Sequence, residues 1–298
     1  MEGDITLSIL IPVFNYDCTK LIELLVEQQK QLLCKSEIVL GDDCSLPSFA
    51  AIYEQLKEKY LCRIVRPEHN IGAGEMRNLL AHSSLGKWCL FLDSDTLPIG
   101  KDFLSSYLCN AESDCVTCGG FVYEDTPPRK DLLLRYVYGH QVEMKTAAQR
   151  EQKPYDNFIG MSFLLSRNIM MDEGFPQAMG MGYEDAYFGC RLKERGILIH
   201  HINNPVLHSL KETSEQFLST TRRYVYNLYQ HQHLLVGKVH LLDFYIRLTK
   251  IPGGHFIGFL FQFVEPLLRK QLTGSRPSLK LFTLYKLLYL SSLFTEER

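Results

Sequence analysis

Within the first ninety or so residues, short β-branched apolar runs alternate with segments of helical spacing, and nothing else in the chain restricts its fold so strongly. Leu7-Ser-Ile-Leu-Ile-Pro-Val13 leads through Asn15 and Asp17 into Leu21, Leu24, Leu25, Gln28 and Leu32. Glu37-Ile-Val-Leu40 precedes a helical pattern from Phe49 to Tyr60, Cys62-Arg-Ile-Val65 precedes one from Gly74 to Ser83, and Trp88-Cys-Leu-Phe-Leu92 closes the series. Consecutive strands separated by helices read as neighbours in a mostly parallel, doubly wound sheet flanked by helices, since a parallel pair needs a long crossover. Each run is apolar almost throughout, as expected of strands covered on both faces.

Beyond Asp95 the rhythm loosens. A helix is expected near Phe103 to Asn110, a strand near Cys115 to Val122, a polar stretch from Glu124 to Pro154, and later strands at Phe158 to Leu165 and Ile197 to Ile202. Between the later strands, Glu184 to Arg195 has helical periodicity and stops at Gly196, the residue type that best closes a helix. Thr213-Ser-Glu-Gln216 has capping-box spacing and starts a helix expected to reach about Leu235.

The 298 residues, 46% hydrophobic and 22% charged, exclude a disordered or fibrous chain and leave one large domain or one domain with an appendage. A net charge of -2 gives no long-range pull toward nucleic acid, so no nucleic-acid partner is expected. Nine cysteines, all between Cys18 and Cys190, are an odd count scattered through ordinary elements, which is no disulfide framework. Cys115 and Cys118 have CxxC spacing without a second pair and read as buried thiols rather than metal or redox groups. Met1-Glu-Gly-Asp4 lacks the basic start of a signal peptide, and a cytoplasmic setting is expected.

Composition changes near residue 237. Phe256-Ile-Gly-Phe-Leu-Phe-Gln-Phe-Val264 and Leu281 to Leu290 are aromatic and aliphatic, yet Gln262, Glu265 and Pro266 break the first run short of a membrane span. From His240 onward eight basic residues oppose four acids. The division expected is therefore a catalytic domain over 1–236 and a helical, apolar, basic extension over 237–298. Helices lying on an anionic membrane surface, at the cytoplasmic face, are one reading of that extension. A lid packed on the sheet, or the interface of a homo-oligomer, is the other.

Chemistry concentrates at the strand ends. Asp93-Ser94-Asp95 directly follows the strand Trp88 to Leu92, and two carboxylates two residues apart there can converge on one hard divalent cation. Asp42-Asp43-Cys-Ser45 ends the second strand, so up to four carboxylates crowd one edge, an arrangement that repels itself unless a cation or donors compensate. Gly72-Ala-Gly74 is no dinucleotide loop: the third glycine position holds Arg77, and the loop does not follow the first strand. Gly182-Tyr-Glu-Asp185 opens the helix that stops at Gly196.

Taken in order, Ser8-Ile-Leu-Ile-Pro-Val-Phe-Asn15, Gly41-Asp-Asp-Cys-Ser45, Asn70-Ile-Gly-Ala-Gly-Glu-Met-Arg-Asn78, Phe91-Leu-Asp-Ser-Asp95 and Gly182-Tyr-Glu-Asp185 resemble the family 2 glycosyltransferases of the GT-A fold, over about three quarters of the chain. The resemblance implies a GT-A type α/β fold and an inverting, metal-dependent transferase moving a sugar from a nucleotide-sugar donor, expected to be a UDP-sugar, to a hydroxyl of a saccharide or lipid-linked acceptor. It implies that Pro12, Val13 and Phe14 line the nucleobase pocket and that Asp42 or Asp43 accepts a hydrogen bond from the uracil ring. Asn15, Gly72, Arg77 and Ser94 fall among the nucleotide-binding positions, Arg77 pairing with Asp93 or with the ligand. Asp93 is implied to contact ribose or a metal-bound water, Asp95 to ligate Mn²⁺ or Mg²⁺, and His208 to complete that coordination. Asp185, beside Glu184, is implied to be the general base, kept ionised by its place at a helix N-terminus. Arg222 and Arg223 read as a solvated helix face or as partners of a phosphate. Two other functions fit the same sheet: a nucleotidyltransferase, and a non-catalytic nucleotide-sugar-binding protein at a membrane.

Overall fold

The computed structural model describes residues 5–125, 129–254 and 257–296. The acidic opening Met1 to Asp4, Phe256 at the head of the apolar run, and Glu297 and Arg298 lie outside the described residues. The chain forms two compact units, one of residues up to 122 with 145–180 and 184–209, the other of 123–144, 181–183 and 210–298.

Ten strands belong to the first unit: β1 (Leu7–Val13), β2 (Ser36–Asp42), β3 (Arg63–Val65), β4 (Trp88–Leu92), β5 (Thr96–Pro98), β6 (Cys115–Cys118), β7 (Phe121–Val122), β8 (Ser162–Ser166), β9 (Leu198–His201) and β10 (Val206–His208). Seven of them make one sheet in the order β3-β2-β1-β4-β8-β6-β9, parallel except for β8, which runs against both neighbours. The remaining three form a small sheet ordered β5-β10-β7. Strand order reverses around β1 and β4, and parallel strands put their carboxyl ends at one edge, which is where such a sheet offers a crevice.

The physical reason for the order is the burial of both faces. In β1 only Pro12 is partly exposed, and β4 is buried from end to end. On one side Leu10, Val39 and Phe91 pack with Met76 and Leu80 of the helix Gly72–Ser83 and with Phe163, Phe175 and Phe188. Phe91 stacks on Phe163 at 4.9 Å between centroids and Phe175 on Phe188 at 4.5 Å. The helix Gly72–Ser83 lies so close to β2 that a Cβ on Gly41 would stand 2.5 Å from Met76 Sδ.

The second unit is helical: Leu133–Tyr138, Ser214–Gln230, Gln232–Leu235, His240–Leu248, Ile257–Leu272 and Leu279–Glu296, around Leu134, Phe217, Phe261, Leu268, Leu272, Phe282 and Tyr285. Thr213 and Gln216 form both halves of the capping box. The helix that follows ends at Gln230, because His231 leaves helical geometry, and a separate turn covers 232–235. The stretch from Glu124 to Pro154 holds short helices, at Leu133–Tyr138 and Ala147–Glu151, each too brief for its period to be read from residue spacing. Arg222 donates to Tyr285 Oη and to Glu265 Oε1, each at 2.6 Å, so it knits this helical core together rather than standing on a solvated face.

Candidate active site

All the candidate groups described below lie in the first unit, and all but the last set lie at the carboxyl edge of the main sheet. Pairing of β1 with β2 sets Pro12 beside Gly41 and Val13 beside Asp42. Val13 is buried, whereas Phe14 emerges 52% exposed, an apolar ring standing free at the strand end. Asn15 takes a left-handed φ of 50° and accepts the Leu46 backbone N–H on its amide oxygen at 2.8 Å, which ties the end of β1 to the start of the helix Pro47–Tyr60.

The two acids after β2 do different work. Asp43 accepts the backbone N–H groups of Ile71 and Gly72, one on each oxygen, both at 2.8 Å. It therefore holds the loop that starts the next helix, where Gly72 adopts φ +82°, a conformation glycine reaches without strain. Asp42 accepts from Ser45 N at 2.9 Å and from Arg66 Nε at 2.7 Å. Arg66, at the end of β3, is a cation at this edge that residue spacing did not single out; its only sequence signal was its place just after a strand. Gly74 proves to be a packing residue: a Cβ there would meet Phe175 Cβ at 3.2 Å and Glu184 Cγ at 3.5 Å.

Arg77 sits at the centre of the carboxylates. Its Nη2 donates to Asp93 Oδ1 at 2.7 Å and to the Gly160 carbonyl at 3.1 Å, while Nη1 lies 3.7 Å from Glu184 Oε1. The guanidinium carbon stands 5.2 Å over the Phe175 ring. Burial works against its charge, but Asp93 and Glu184 outweigh burial, and the net effect is a guanidinium held more firmly protonated than usual. Arg77 thus pairs with Asp93 in this structure. Its Nε and Nη1 make no hydrogen bond among the described residues. Gly160 and Phe175, which lie in no motif, complete its surroundings.

The turn after β4 carries Asp93, Ser94 and Asp95. Burial raises the Asp93 carboxyl above the usual carboxylate range, with Arg77 opposing the rise and Asp95 adding to it. Thr96 to Pro98 then enter β5, and antiparallel pairing sets His208 of β10 directly opposite Thr96. The result is His208 Nε2 at 3.0 Å from Asp95 Oδ2, a contact made by residues 113 positions apart. Oxygen from two carboxylates with one imidazole nitrogen suits Mn²⁺ or Mg²⁺. Adjacent ligands on a six-coordinate ion at about 2.1 Å also stand about 3 Å apart, so the Asp95–His208 spacing fits a shared cation.

Glu184 and Asp185 open the helix Glu184–Glu194, reached through left-handed backbone at Ala178, Gly180, Gly182 and Tyr183. Asp185 Oδ1 accepts the Ala186 N–H at 2.7 Å. The expectation of a readily ionised carboxylate needs correction: burial, and then the neighbouring Glu184, push Asp185 up to about 7, and the helix N-terminus and Arg77 offset only part of this. A carboxyl poised near neutrality is matched to taking up a proton at physiological pH.

A different set of donors, Glu112, Cys115 and His200, lies within 4.8 Å of one another at the amino end of β6, the edge away from the crevice. Burial pushes the Cys115 thiol up to about 12, far from the thiolate a metal prefers. No disulfide joins any of the nine cysteines in this structure.

Comparison with known proteins agrees with this geometry. The model described as Glycosyl transferase family 2 matches residues 8–174, more than half of the chain. A curated relative from Haemophilus influenzae, described as an uncharacterized glycosyltransferase, is 36% identical over 91 residues, 30% of this chain and 29% of that protein. Among solved structures, S. aureus TarS shares 18% identity at a TM-score of 0.54, covering 96% of this chain but only 55% of TarS. TarS 1-349 in complex with UDP-GlcNAc gives 16% and 0.52, covering 98% and 91% of the two chains. The Pyrobaculum calidifontis mannosyltransferase PcManGT, in complex with GDP-Man and Mn²⁺, gives 13% and 0.61, covering 99% and 88%. At these identities the likeness to solved structures is one of fold, and the fold is of the GT-A type.

Proposed function

The chain belongs to glycosyl transferase family 2, and from that membership we propose that it transfers a sugar, with inversion, from a UDP-sugar to a hydroxyl of a saccharide or lipid-linked acceptor. The observation that carries the mechanism is the buried cluster in which Arg77 links Asp93 of the DxD turn to Glu184 and the Asp185 helix, so that donor-side and base-side carboxylates share one rigid support. The neighbours crystallised with UDP-GlcNAc and with GDP-Man and Mn²⁺ support a nucleotide-sugar donor and a divalent ion.

Phe14 and Val13 receive the nucleobase, Phe14 offering its exposed face for stacking. Asp42 and Asp43, already accepting from Arg66 and from the Ile71–Gly72 backbone, shape the edge of that pocket. Asp95 and His208, with Asp93 behind them, would hold Mn²⁺ or Mg²⁺, which supplies positive charge for the departing diphosphate. Asp185 accepts the proton of the acceptor hydroxyl as its oxygen attacks the anomeric carbon from the face opposite the nucleotide, and the carbon–phosphate oxygen bond breaks in the same displacement. Glu184, facing Arg77, orients the start of the helix and keeps Asp185 near neutrality. A nucleotidyltransferase would have no need for a carboxyl at Asp185.

Purified protein is offered a panel of nucleotide sugars with Mn²⁺ or Mg²⁺, and release of nucleoside diphosphate is followed. Metal-dependent release from a UDP-sugar, lost in Asp185→Asn when acceptor is present, is the expected result. Pyrophosphate release from a nucleoside triphosphate instead would overturn the proposal.

A further inference from the structure

Within the first unit, β6 pairs in parallel with β9 in the main sheet, and after short breaks the same two lengths of chain pair again as β7 and β10 in the small sheet. The breaks are Gly119-Gly120 on one chain and Ile202-Asn-Asn-Pro205 on the other. β10 has three residues and ends in His208, so the crossing at 202–205 decides where that imidazole stands. Across the breaks Asn204 N donates to the Gly119 carbonyl at 3.3 Å and Val206 N to the Gly120 carbonyl at 3.1 Å.

Arg150 ties the two breaks together. Its Nη2 donates to the Gly119 carbonyl at 3.1 Å and to the Ile202 carbonyl at 2.8 Å, so one nitrogen joins both chains where they leave the main sheet. Nε donates to His201 Nδ1 at 3.1 Å, and Nη1 to the Lys145 carbonyl at 2.7 Å. A guanidinium only donates, so Nδ1 is the acceptor nitrogen of His201, and Nε2 carries the proton that goes to the Pro154 carbonyl at 3.0 Å. Glu151 accepts the His201 backbone N–H. The guanidinium lies so close on Gly120 that a Cβ there would stand 2.2 Å from Nη1.

Arg150 is 7% exposed, and these four acceptors, three carbonyls and an imidazole nitrogen, are all neutral. Burial draws its pKa below the usual arginine value. A cation in such surroundings costs desolvation that neutral acceptors offset only in part. What it supplies is a rigid planar fork that fixes two chains relative to each other, which an apolar side chain of the same volume cannot do. One of the two chains so fixed is the one that brings His208 Nε2 to 3.0 Å from Asp95 Oδ2.

We propose that Arg150, with His201, is a positioning residue for the metal site: it fixes the crossing into β10 and so holds His208 at its distance from Asp95. This rests on the reading of Asp95 and His208 as metal ligands given above. Mn²⁺ is titrated by calorimetry into full-length protein saturated with UDP, and UDP binding is measured separately without metal. Arg150→Lys keeps the charge but cannot reach four acceptors, and is expected to weaken Mn²⁺ about fivefold while metal-free UDP affinity stays at the parent level. Combined with His208→Ala it is expected to weaken Mn²⁺ no further than the about tenfold of His208→Ala alone, because it acts through that side chain. His201→Phe keeps a ring but leaves Arg150 Nε without its acceptor, and is expected to weaken Mn²⁺ by about twofold to threefold. Parent-level Mn²⁺ affinity in Arg150→Lys, or in His201→Phe where the lysine variant does not fold, overturns the proposal and leaves Arg150 a clamp for stability alone. So does a double variant weakened about fiftyfold, the product of two independent losses. A parent that binds UDP but no Mn²⁺ overturns the metal reading of Asp95 and His208, and this proposal with it.

Discussion

Replacing Arg77 by methionine keeps the apolar stem and removes the guanidinium, and so isolates what one charge contributes to a crevice built of acids. The Arg77 side chain is 4% exposed and Asp93 30%. Charges about 4 Å apart attract by about 4 kcal/mol at an effective dielectric constant near 20. Partial exposure of Asp93 screens some of that, and methionine retains packing on Phe175, which leaves a loss of about 3 kcal/mol, at the low end for breaking a buried pair. Trp88, the single tryptophan, is 7% exposed at the start of β4, the strand whose other end carries Asp93. Its fluorescence therefore follows unfolding of this sheet in urea. With a slope of about 3 kcal/mol/M, the midpoint of Arg77→Met is expected to fall by about 1 M. Adding Asp93→Asn removes the stranded carboxylate and is expected to recover much of the loss, a non-additivity that a merely steric role would not produce. An unchanged midpoint, or a double variant as unstable as the two single losses combined, would refute the view that Arg77 neutralises the crevice.

Asp185→Asn is expected to lower transfer by about 10²- to 10⁴-fold, and in the parent kcat/KM is expected to fall with pH below about 7, where Asp185 takes up its proton. Because the folded-state pKa is raised, the stability Asp185 contributes is complete at acid pH and is lost as pH rises through about 7. Asp185→Asn should therefore melt above the parent at about pH 8, with the gap narrowing as pH falls below about 7 and closing only near about pH 4, where the unfolded carboxyl also takes up its proton; a constant gap would show that the carboxyl titrates normally. His208→Ala should weaken Mn²⁺ binding in the presence of nucleoside diphosphate by about tenfold in calorimetry, and undiminished binding would remove His208 from the metal set. Gly41→Ala forces a methyl to within 2.5 Å of Met76 Sδ and should cost about 1–3 kcal/mol in a thermal melt; no change would mean that the helix can stand off the sheet freely.

The parallel part of the sheet was legible because β1, β2 and β4 are covered on both faces and so had to be written as continuous apolar runs, the strongest signal a strand can leave. The short helices between Leu133 and Glu151 were not, since five or six residues complete too few turns to show a period. Residue order alone also put Asp42, Asp43, Asp93 and Asp95 at strand ends, because a strand's direction places whatever follows it. It could not say what each acid holds. Asp43 spends both oxygens on the Ile71 and Gly72 amides, and Asp42 is engaged by Arg66, facts set by how close β2 and β3 bring their following loops. The Asp95–His208 contact rests on antiparallel register between β5 and β10, two three-residue strands far apart in the chain. The state of Asp185 depended on burial and on Glu184 and Arg77 around it, and those are properties of an enclosed volume, which a linear order of residues does not contain. Local patterning thus determined which groups face the crevice, while distance, dielectric and register, which exist only once the chain is folded, decided their charges and partners.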